Sequence, residues 1–188
     1  MRITAGVHRS RQLVAPKGTA TRPTSDRVRE ALFSILGARG VIAGQKVLDL
    51  YAGTGALGLE ALSRGADRAT FVESDREALA CLRKNVETLG ETSRAVVVAS
   101  RAERAISRVV GPFDLVLCDP PYAHVADAAK TLAAIASGST LAAGAIVVLE
   151  RASRDAPPTI EGLSLVERRT YGDTALAIYE LSPGLNPV

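Results

Sequence analysis

From Lys46 onward, the chain alternates short apolar runs with segments of helical periodicity, and this alternation constrains the fold more than any other feature. Such an alternation is typical of βαβ units, which build a parallel sheet. Six or seven strands are predicted, at residues 46–50, 69–73, 94–99, 114–118, 145–150, 163–170 and 175–181. Helices are predicted at 56–64, 76–89, 102–109 and 126–136, with Asp75 as the N-cap of the second.

The last two predicted strands must be connected differently from the others. Only the segment from Tyr171 to Thr174 separates them, which is too short for the crossover that parallel neighbours need. They are therefore expected to be antiparallel neighbours. The predicted fold class is α/β: a Rossmann-like seven-stranded sheet, mostly parallel with the last strand antiparallel, preceded by a small β-ribbon and helix.

The positive charge of the chain is concentrated at its N-terminus. Residues 1–40 carry a net charge of +6, from eight Arg or Lys residues against two acids, whereas the whole chain carries +3. A basic arm of this kind favours a polyanionic partner, most commonly nucleic acid, and the alternative is a solvated basic surface. The arm is predicted to hold ribbon strands at 2–5 and 11–15 and an amphipathic helix at 25–38. We divide the chain into this basic extension, residues 1–40, and a core domain, residues 41–188.

The first candidate site is a glycine-rich turn that follows the first predicted strand. Gly53 and Gly55 allow a tight turn and let a ligand lie against bare backbone. Glu73 ends the next strand, where its carboxylate would accept hydrogen bonds from two ribose hydroxyls. These features indicate a nucleoside cofactor. The alternative is an ordinary strand-to-helix turn with structural glycines.

Asp49 distinguishes between two kinds of nucleoside cofactor. The spacing Gly53-x-Gly55-x-x-Gly58, with Glu73 placed 20 residues after Gly53, also fits a dinucleotide-binding fingerprint. A carboxylate at the end of the first strand would repel a pyrophosphate but can receive a cationic amino-acid group. S-adenosylmethionine has such an ammonium group and no phosphate, so it is the predicted cofactor.

The second candidate site is the sequence Asp119-Pro120-Pro121-Tyr122 at the end of the fourth predicted strand. Two prolines fix the backbone and remove two donors, so the Pro120 carbonyl and the Asp119 side chain can act together as acceptors. Tyr122 offers a ring on which a base can stack. This arrangement suits an exocyclic amine on a ring, because two acceptors take its N–H bonds and favour a nucleophilic nitrogen. The alternative is a Pro-Pro turn with an aspartate that caps a helix.

Together, these motifs resemble the class I S-adenosylmethionine-dependent methyltransferases that modify amino groups. The N-terminal segments Arg2 to Gly6, Arg9 to Leu13 and Arg22 to Phe33 narrow the resemblance. They are similar to the RsmD family of bacterial enzymes, which methylate N2 of a guanine in small-subunit (16S) ribosomal RNA. The resemblance extends from Arg2 to about Leu181.

The resemblance implies a seven-stranded methyltransferase sheet and a substrate that is the 30S subunit, assembled or assembling, or its protein-bound RNA. One departure concerns the adenine contact: where such enzymes usually have Asp or Asn after the third strand, this chain has Ser100-Arg101-Ala102, and Arg101 cannot accept a hydrogen bond. The expected catalytic residues are Asp119, Pro120 and Tyr122. The expected cofactor residues are Asp49, Tyr51, Gly53, Gly55, Glu73, Ser74, Arg101 and Ala102. The expected RNA contacts are Arg2, His8, Arg9, Arg11, Lys17 and Arg22.

Composition excludes several other classes of protein. No apolar run approaches the roughly 20 residues of a membrane span, and the N-terminus has no apolar signal-peptide core, so a cytoplasmic protein is expected. Cys81 and Cys118 have no CxxC spacing and are expected to be buried, with no disulfide or metal site. A monomer is expected. A DNA adenine-N6 methyltransferase, an NAD-dependent oxidoreductase and a non-enzymatic RNA-binding module remain as alternatives.

Overall fold

A computed structural model describes residues 1–16 and 26–182 of the chain, and its core is one seven-stranded sheet. The strands are β1 (Lys46–Leu50), β2 (Arg68–Glu73), β3 (Ala95–Ala99), β4 (Phe113–Cys118), β5 (Leu141–Ala152), β6 (Leu163–Tyr171) and β7 (Thr174–Leu181). The helices are α1 (Asp26–Ala38), α2 (Ala56–Ser63), α3 (Arg76–Leu89), α4 (Ala102–Ala105) and α5 (Val125–Ala136), with a 3₁₀ turn at Tyr122–His124.

The sheet confirms the predicted fold class. Its strand order is β3-β2-β1-β4-β5-β7-β6, in which β1 to β5 are mutually parallel. Strand β7 is antiparallel to both β5 and β6, so the short turn before Thr174 forms the expected hairpin. The order reverses at β1 and β4, and ligands bind at such a switch point, beyond the carboxyl ends of the strands.

Alternating side chains of the central strands supply two apolar cores. On one face, Val47, Phe71 and Leu117 pack with α1, α2 and α3. On the other, Leu48 and Val116 pack with α4 and α5. Because successive strand residues point to opposite faces, Asp49 lies on the same face as Val47, beneath α2.

The N-terminal segment belongs to the first of these cores. Ile3 and Leu13 are buried in the same cluster as the α1 side chains Leu32 and Phe33. The predicted ribbon is shorter than expected: it has one antiparallel bridge, between Arg2 and Gln12, and three backbone hydrogen bonds, from Ile3 to Arg11, Ser10 to Ile3 and Leu13 to Met1. Beyond it, the Thr4 and Ala5 N–H groups donate to the Glu60 carboxylate on α2. The division of the chain at residue 40 stays a prediction.

Two other elements differ from expectation in length. Helix α4 ends at Ala105 rather than at residue 109, because three β-branched residues (Ile106, Val109 and Val110) and then Gly111-Pro112 follow, all of them unfavourable in helices. Strand β5 begins at Leu141, four residues early, since Phe113 pairs with it across an irregular register. The Asp75 cap is confirmed: its side chain accepts from the Ala78 N–H at 2.8 Å.

Two further expectations concern the burial of the cysteines and the presence of membrane-spanning segments. Cys118 is buried as predicted, whereas Cys81 is only partly covered, and both thiols are free. Cys81 lies on α3, whose outer side faces solvent. In the part of the chain that the structure describes, the helices fall short of the length and apolar character that crossing a bilayer requires.

Candidate active site

Asp49 lies near the carboxyl end of β1 and is almost completely buried. Its Oδ2 atom accepts a hydrogen bond of 2.8 Å from the backbone N–H of Gly58, in the first turn of α2. Its Oδ1 atom is buried without a hydrogen-bond partner among the residues that the structure describes. A buried carboxylate oxygen without a partner is costly, which makes Asp49 a candidate ligand-binding group.

The electrostatic surroundings of Asp49 are acidic. Its pKa is raised to about 8, chiefly by burial and also by the carboxylates of Asp119 and Glu73, while the Gly58 hydrogen bond lowers it. Among the described residues, the charged groups that shift the pKa of Asp49 are therefore acids. A cluster of like charges disfavours ionisation, and a cation placed among them would reverse that effect. The arrangement is suited to a positively charged ligand.

Packing explains two of the glycines around Asp49. A Cβ on Gly55, which has a φ of +84°, would lie 2.4 Å from the Leu82 side chain. A Cβ on Gly58 would lie 2.3 Å from the ring of Phe71 and 3.1 Å from the Oδ2 atom of Asp49. Gly55 is therefore required by the close packing of α3 against the turn, and Gly58 by the close approach of α2 to the sheet.

The backbone between Asp49 and α2 turns sharply. Tyr51 has a φ of +60°, in the left-handed region that non-glycine residues adopt at a cost of about 1 kcal/mol. The Gly55 N–H donates to the Ala52 carbonyl at 2.7 Å. The Tyr51 side chain packs partly buried against the core on the α5 side, where burial raises its pKa to about 12. The predicted contact of Tyr51 with a cofactor stays a prediction.

Glu73 organises the glycine turn through its own hydrogen bonds. Its Oε2 atom accepts from the Gly53 N–H at 2.8 Å, and its Oε1 atom accepts from the N–H groups of Ser74 and Asp75 at 2.6 and 2.7 Å. Both oxygens thus fix the start of α3 and the turn after β1. The predicted contact of Glu73 with ribose hydroxyls stays a prediction, since carboxylate oxygens can accept more than one hydrogen bond.

The Asp119-Pro120-Pro121-Tyr122 segment follows β4 at the same edge of the sheet. The Asp119 N–H donates to the Leu50 carbonyl at 3.4 Å, which ties this segment to the end of β1. Asp119 is half-buried, Pro120 is buried and Pro121 is exposed. Tyr122 begins the 3₁₀ turn, and its hydroxyl contacts the Thr174 hydroxyl at 3.1 Å. The structure therefore brings the two candidate sites together.

The segment after β3 lies beside Glu73. The Ser100 N–H donates to the Glu73 carbonyl at 2.9 Å. Arg101 is exposed in an extended conformation before α4, and Ala102 is buried. This placement puts both residues close to the predicted cofactor position, and their contacts with a cofactor remain predictions.

The predicted RNA contacts lie on the arm, and they differ in exposure and in whether they already contact another residue of the protein. Arg2 is largely exposed and approaches Asp26 at 3.6 Å, while Arg9 and Arg11 are exposed. His8 is mostly buried, with its Nε2 atom 2.5 Å from the Glu91 carboxylate, so it already has an internal partner. Lys17 and Arg22 lie outside the described residues.

The tip of the arm, Val7 and His8, lies at the end of α2 that is far from the glycine turn. The Val7 N–H donates to the carbonyl of Ser63, the last residue of α2, at 2.9 Å, and the His8 N–H donates to the Ser63 hydroxyl at 3.0 Å. Helix α2 has eight residues. A helix of that length spans about 12 Å, which separates the tip from the turn at Gly55.

Sequence reasoning missed the residues that hold the arm in place. Glu60 is fully buried in α2 and accepts from the Thr4 and Ala5 N–H groups at 2.8 and 3.0 Å. It also pairs with Arg64 at 2.7 Å and with the buried Arg29 at 3.5 Å. One acid in an otherwise apolar helix is the sequence signal for such a buried, paired group.

Asn85, also missed, connects the arm with the glycine turn. It is buried on α3, and its side-chain amide exchanges two hydrogen bonds with the Val14 backbone, at 2.8 and 3.0 Å. The same amide donates to the Thr54 carbonyl at 2.9 Å. Its position on the inward face of an amphipathic helix is the only local signal, and it does not identify the two partners.

Comparison with known proteins agrees with this geometry. The family model described as Conserved hypothetical protein 95 matches residues 1–180. "Ribosomal RNA small subunit methyltransferase D" of Escherichia coli strain K12 is 37% identical over 181 residues, which cover 96% of this chain and 89% of that protein. The same-named protein of Haemophilus influenzae is 32% identical over 185 residues, covering 96% of this chain and 93% of that one.

A solved structure of the Escherichia coli protein yhhF superimposes with a TM-score of 0.85 at 36% identity, and covers 96% of this chain and 97% of that one. The family match and the two relatives extend over both candidate sites and the arm. This chain therefore belongs to the RsmD family of methyltransferases.

Proposed function

We propose that the protein transfers a methyl group from S-adenosylmethionine to the exocyclic N2 amine of a guanine in small-subunit ribosomal RNA. The observation that carries the proposal is the pairing of two motifs at one edge of the sheet. A buried acid in the glycine turn, Asp49, lies among the charges of Asp119 and Glu73. Asp119 in turn opens the segment that suits an exocyclic amine. The names of the relatives supply the RNA class. We propose that the protein acts in the cytoplasm, because bacterial ribosomes are made there.

The cofactor side of the proposal rests on the buried Oδ1 atom of Asp49 and on the turn at Gly53 and Gly55. S-adenosylmethionine, when bound, supplies a methyl group activated by a sulfonium centre, together with an ammonium group. Asp49 would hold the cationic amino-acid end, and Glu73 would position the ribose. The acids Asp119 and Glu73, which act on Asp49, support a cationic ligand and disfavour the pyrophosphate of NAD.

The substrate side rests on Asp119, Pro120 and Tyr122. The Asp119 carboxylate and the Pro120 carbonyl accept the two N–H bonds of the guanine amine, which concentrates electron density on its nitrogen. The Tyr122 ring stacks on the base. Because a paired guanine has its amine inside the helix, the base must be unpaired or flipped, at a cost of a few kcal/mol unless a loop presents it.

Asp119 orients and polarises the amine rather than removing a proton before attack. An aromatic amine is a very weak acid, and its proton becomes acidic only once the nitrogen has bonded to the methyl carbon. At that stage the Asp119 carboxylate stabilises the positive nitrogen and can accept the proton. The protein thus contributes orientation and electrostatic stabilisation, and the direct displacement needs no covalent bond to the enzyme.

The RNA side of the proposal rests on the arm. Arg2, Arg9 and Arg27 line a cleft of about 260 Å³ between the arm and α1, together with Asp26 and Glu30. Arginines suit phosphate oxygens through paired hydrogen bonds. We propose that this cleft and the exposed Arg11 hold the RNA backbone of the 30S particle while its guanine reaches Asp119.

The test separates transfer from cofactor binding. Asp119→Ala removes one of the two acceptors and should slow single-turnover transfer to unmodified small subunits by about 100-fold or more, equivalent to roughly 3 kcal/mol. Asp119→Asn retains one acceptor and should fall between the wild type and alanine. Calorimetric titration should give the same S-adenosylmethionine affinity for all three proteins, because the Asp49 side of the site is intact.

The reaction product is measured by nucleoside analysis of the treated RNA. N2-methylguanosine is the expected product. Wild-type transfer rates in both variants would assign the segment a purely structural role. Binding of NAD in preference to S-adenosylmethionine would contradict the cofactor assignment, and a methylated adenine would contradict the substrate.

A further inference from the structure

One hydrogen bond connects the substrate segment with a distant part of the chain. The Tyr122 hydroxyl lies 3.1 Å from the Thr174 Oγ1 atom, across 52 residues of sequence. Tyr122 follows β4, and Thr174 is the first residue of β7. Because β7 runs antiparallel to β5, its first residue lies at the carboxyl edge of the parallel strands, where both candidate sites are found.

The Thr174 end of this hydrogen bond is held rigidly. Thr174 is 7% exposed and pairs with Ala152 of β5 and with Tyr171 of β6, at the end of both strand contacts of β7. The residue before it is fixed as well, since the Ser153 N–H donates to the Asp173 carbonyl at 2.8 Å. The β6–β7 hairpin therefore presents the Thr174 hydroxyl at a defined position.

The Tyr122 end has few constraints of its own. Tyr122 opens a single 3₁₀ turn of three residues between exposed Pro121 and exposed His124, and the one turn hydrogen bond joins the His124 N–H to the Pro121 carbonyl at 2.7 Å. The Tyr122 ring is only partly buried. The hydrogen bond of its hydroxyl with Thr174 holds the tip of the ring to the β6–β7 hairpin.

We propose that Thr174 is a positioning residue, which fixes the ring of Tyr122 in the plane where the target base stacks. The inference rests on the proposed function, in which that ring holds the guanine. Because the Tyr122 hydroxyl is already engaged with Thr174, Tyr122 serves the reaction through the face of its ring. A ring fixed before the substrate arrives spares the complex the loss of side-chain freedom on binding.

Four variants test this inference by single-turnover transfer to sub-saturating, unmodified small subunits, where the observed rate includes both binding and transfer. Thr174→Val keeps the shape of the side chain and removes the hydroxyl, and Tyr122→Phe removes the same hydrogen bond from the other end. Each should slow transfer by roughly 3- to 10-fold, the range that corresponds to one neutral hydrogen bond. The double variant should be no slower than either single one, because both remove one shared contact. Thr174→Ser retains the hydroxyl and should restore transfer to within about two-fold of the wild type.

Cofactor affinity distinguishes positioning from loss of structure. S-adenosylmethionine affinity, measured by calorimetry, should be unchanged in Thr174→Val and Tyr122→Phe. A fall in cofactor affinity and in melting temperature that parallels the fall in transfer would overturn the inference. If Thr174→Val does not fold, Tyr122→Phe still tests the same hydrogen bond, since it leaves the hairpin intact.

A fifth variant separates failure of this inference from failure of the proposed function. Tyr122→Ala removes the ring and should slow transfer far more than Tyr122→Phe. If Tyr122→Ala is slow while Thr174→Val and Tyr122→Phe match the wild type, the ring holds the base without help from Thr174, and the inference is wrong. If Tyr122→Ala itself matches the wild type, the base is held elsewhere and the proposed role of Tyr122 is wrong.

Discussion

Glu60 and Asp49 are both buried carboxylates beneath or within α2, and their surroundings are opposite. Glu60 accepts hydrogen bonds from the arm and pairs with Arg29 and Arg64. Among the residues that the structure describes, the Asp49 side chain accepts one hydrogen bond, from Gly58, and the charged groups that shift its pKa are the acids Asp119 and Glu73. Within residues 1–16 and 26–182, one carboxylate is thus paired with cations and the other is surrounded by acids.

The contrast indicates what each carboxylate is for. A buried charge that the protein neutralises itself contributes to holding segments together, here the arm and α1 against α2. A buried acid that is destabilised by its own neighbours is typical of a functional site, because a ligand can supply the missing charge. The free energy that Asp49 costs the folded protein can therefore be recovered when a cationic cofactor binds.

The largest expected effect comes from breaking the Glu60 network. Glu60→Ala leaves Arg29 buried without that carboxylate and removes the acceptor of the Thr4 and Ala5 N–H groups. We expect a loss of about 3–5 kcal/mol in the free energy of unfolding, the usual effect of removing one partner of a buried ion pair. Urea denaturation measures it. Glu87→Ala, at an exposed position of α3, is the matched control and should change stability little.

An unchanged midpoint for Glu60→Ala would show that the arm is anchored by its apolar residues alone, chiefly Ile3 and Leu13. In that case Glu60 would not contribute to stability through its ion pairs, and it would differ from Asp49 only in its position in the structure. If Glu87→Ala lowers the free energy of unfolding as much as Glu60→Ala does, the decrease is a general effect of removing a negative charge and not of breaking the Glu60 network.

The second prediction tests the opposite behaviour at Asp49. Its folded pKa of about 8 lies above the ordinary aspartate value of 3.8, so the folded state binds the proton more tightly. That contribution to stability is complete below the unfolded pKa and is lost as the pH rises from about 4 to 8, by at most about 1.4 kcal/mol per pH unit for one proton. Asp49→Asn cannot ionise and should become progressively more stable than the wild type over this range.

Chemical denaturation at pH 5, 6, 7 and 8 gives the stability difference between Asp49→Asn and the wild type. The same variant should bind S-adenosylmethionine more weakly at pH 8, since it lacks the charge that receives a cation. Asp114→Asn, a carboxylate at the opposite end of the sheet, is the control. A stability difference that does not vary with pH would contradict the assignment of a raised pKa to Asp49.

The smallest expected effect concerns the exposed part of the arm. Arg9→Ala should weaken the binding of small-subunit RNA to a similar extent for all sequences and reduce the log-log salt slope by about one unit, for one lost phosphate contact. Binding measured between 50 and 200 mM salt, roughly the range in which such contacts dominate, determines the slope. Arg108→Ala, exposed on the α4 side of the sheet, should leave it unchanged. Equal slopes for Arg9→Ala and the wild type would make the basic cleft a solvated surface.

Much of the fold could be predicted because its signals are local. The strands after Lys46 are short apolar runs bounded by turns, and the four residues from Tyr171 to Thr174 allow only a hairpin. The glycine turn and the Asp119 segment were also visible, because glycines and prolines restrict the backbone wherever they occur. The end of α4 was misplaced, since helix boundaries depend on how the following residues pack.

Other features could not be predicted, because they depend on contacts between distant segments. Glu73 was expected to accept hydrogen bonds from a ribose. In the structure, both of its carboxylate oxygens already accept backbone hydrogen bonds. His8 was expected to face RNA, and its ring contacts Glu91, 83 residues away. Each of these side chains has the right chemistry for its predicted partner. Only the tertiary structure shows which partner within the protein it already has.

The sequence by itself determined the fold class, the two motif-bearing strand ends and the charge of the arm, because periodicity, backbone restriction and composition act over a few residues. The tertiary structure decided which charges are paired. Asp49 and Glu60 are both acids among apolar neighbours in sequence. Arg64 is four residues from Glu60 on the same helix, but only packing adds the buried Arg29 to Glu60 and gives Asp49 two further acids. The electrostatic free energy of a buried group depends on every charge within a few ångströms, and in a folded chain most of those charges come from elsewhere in the sequence.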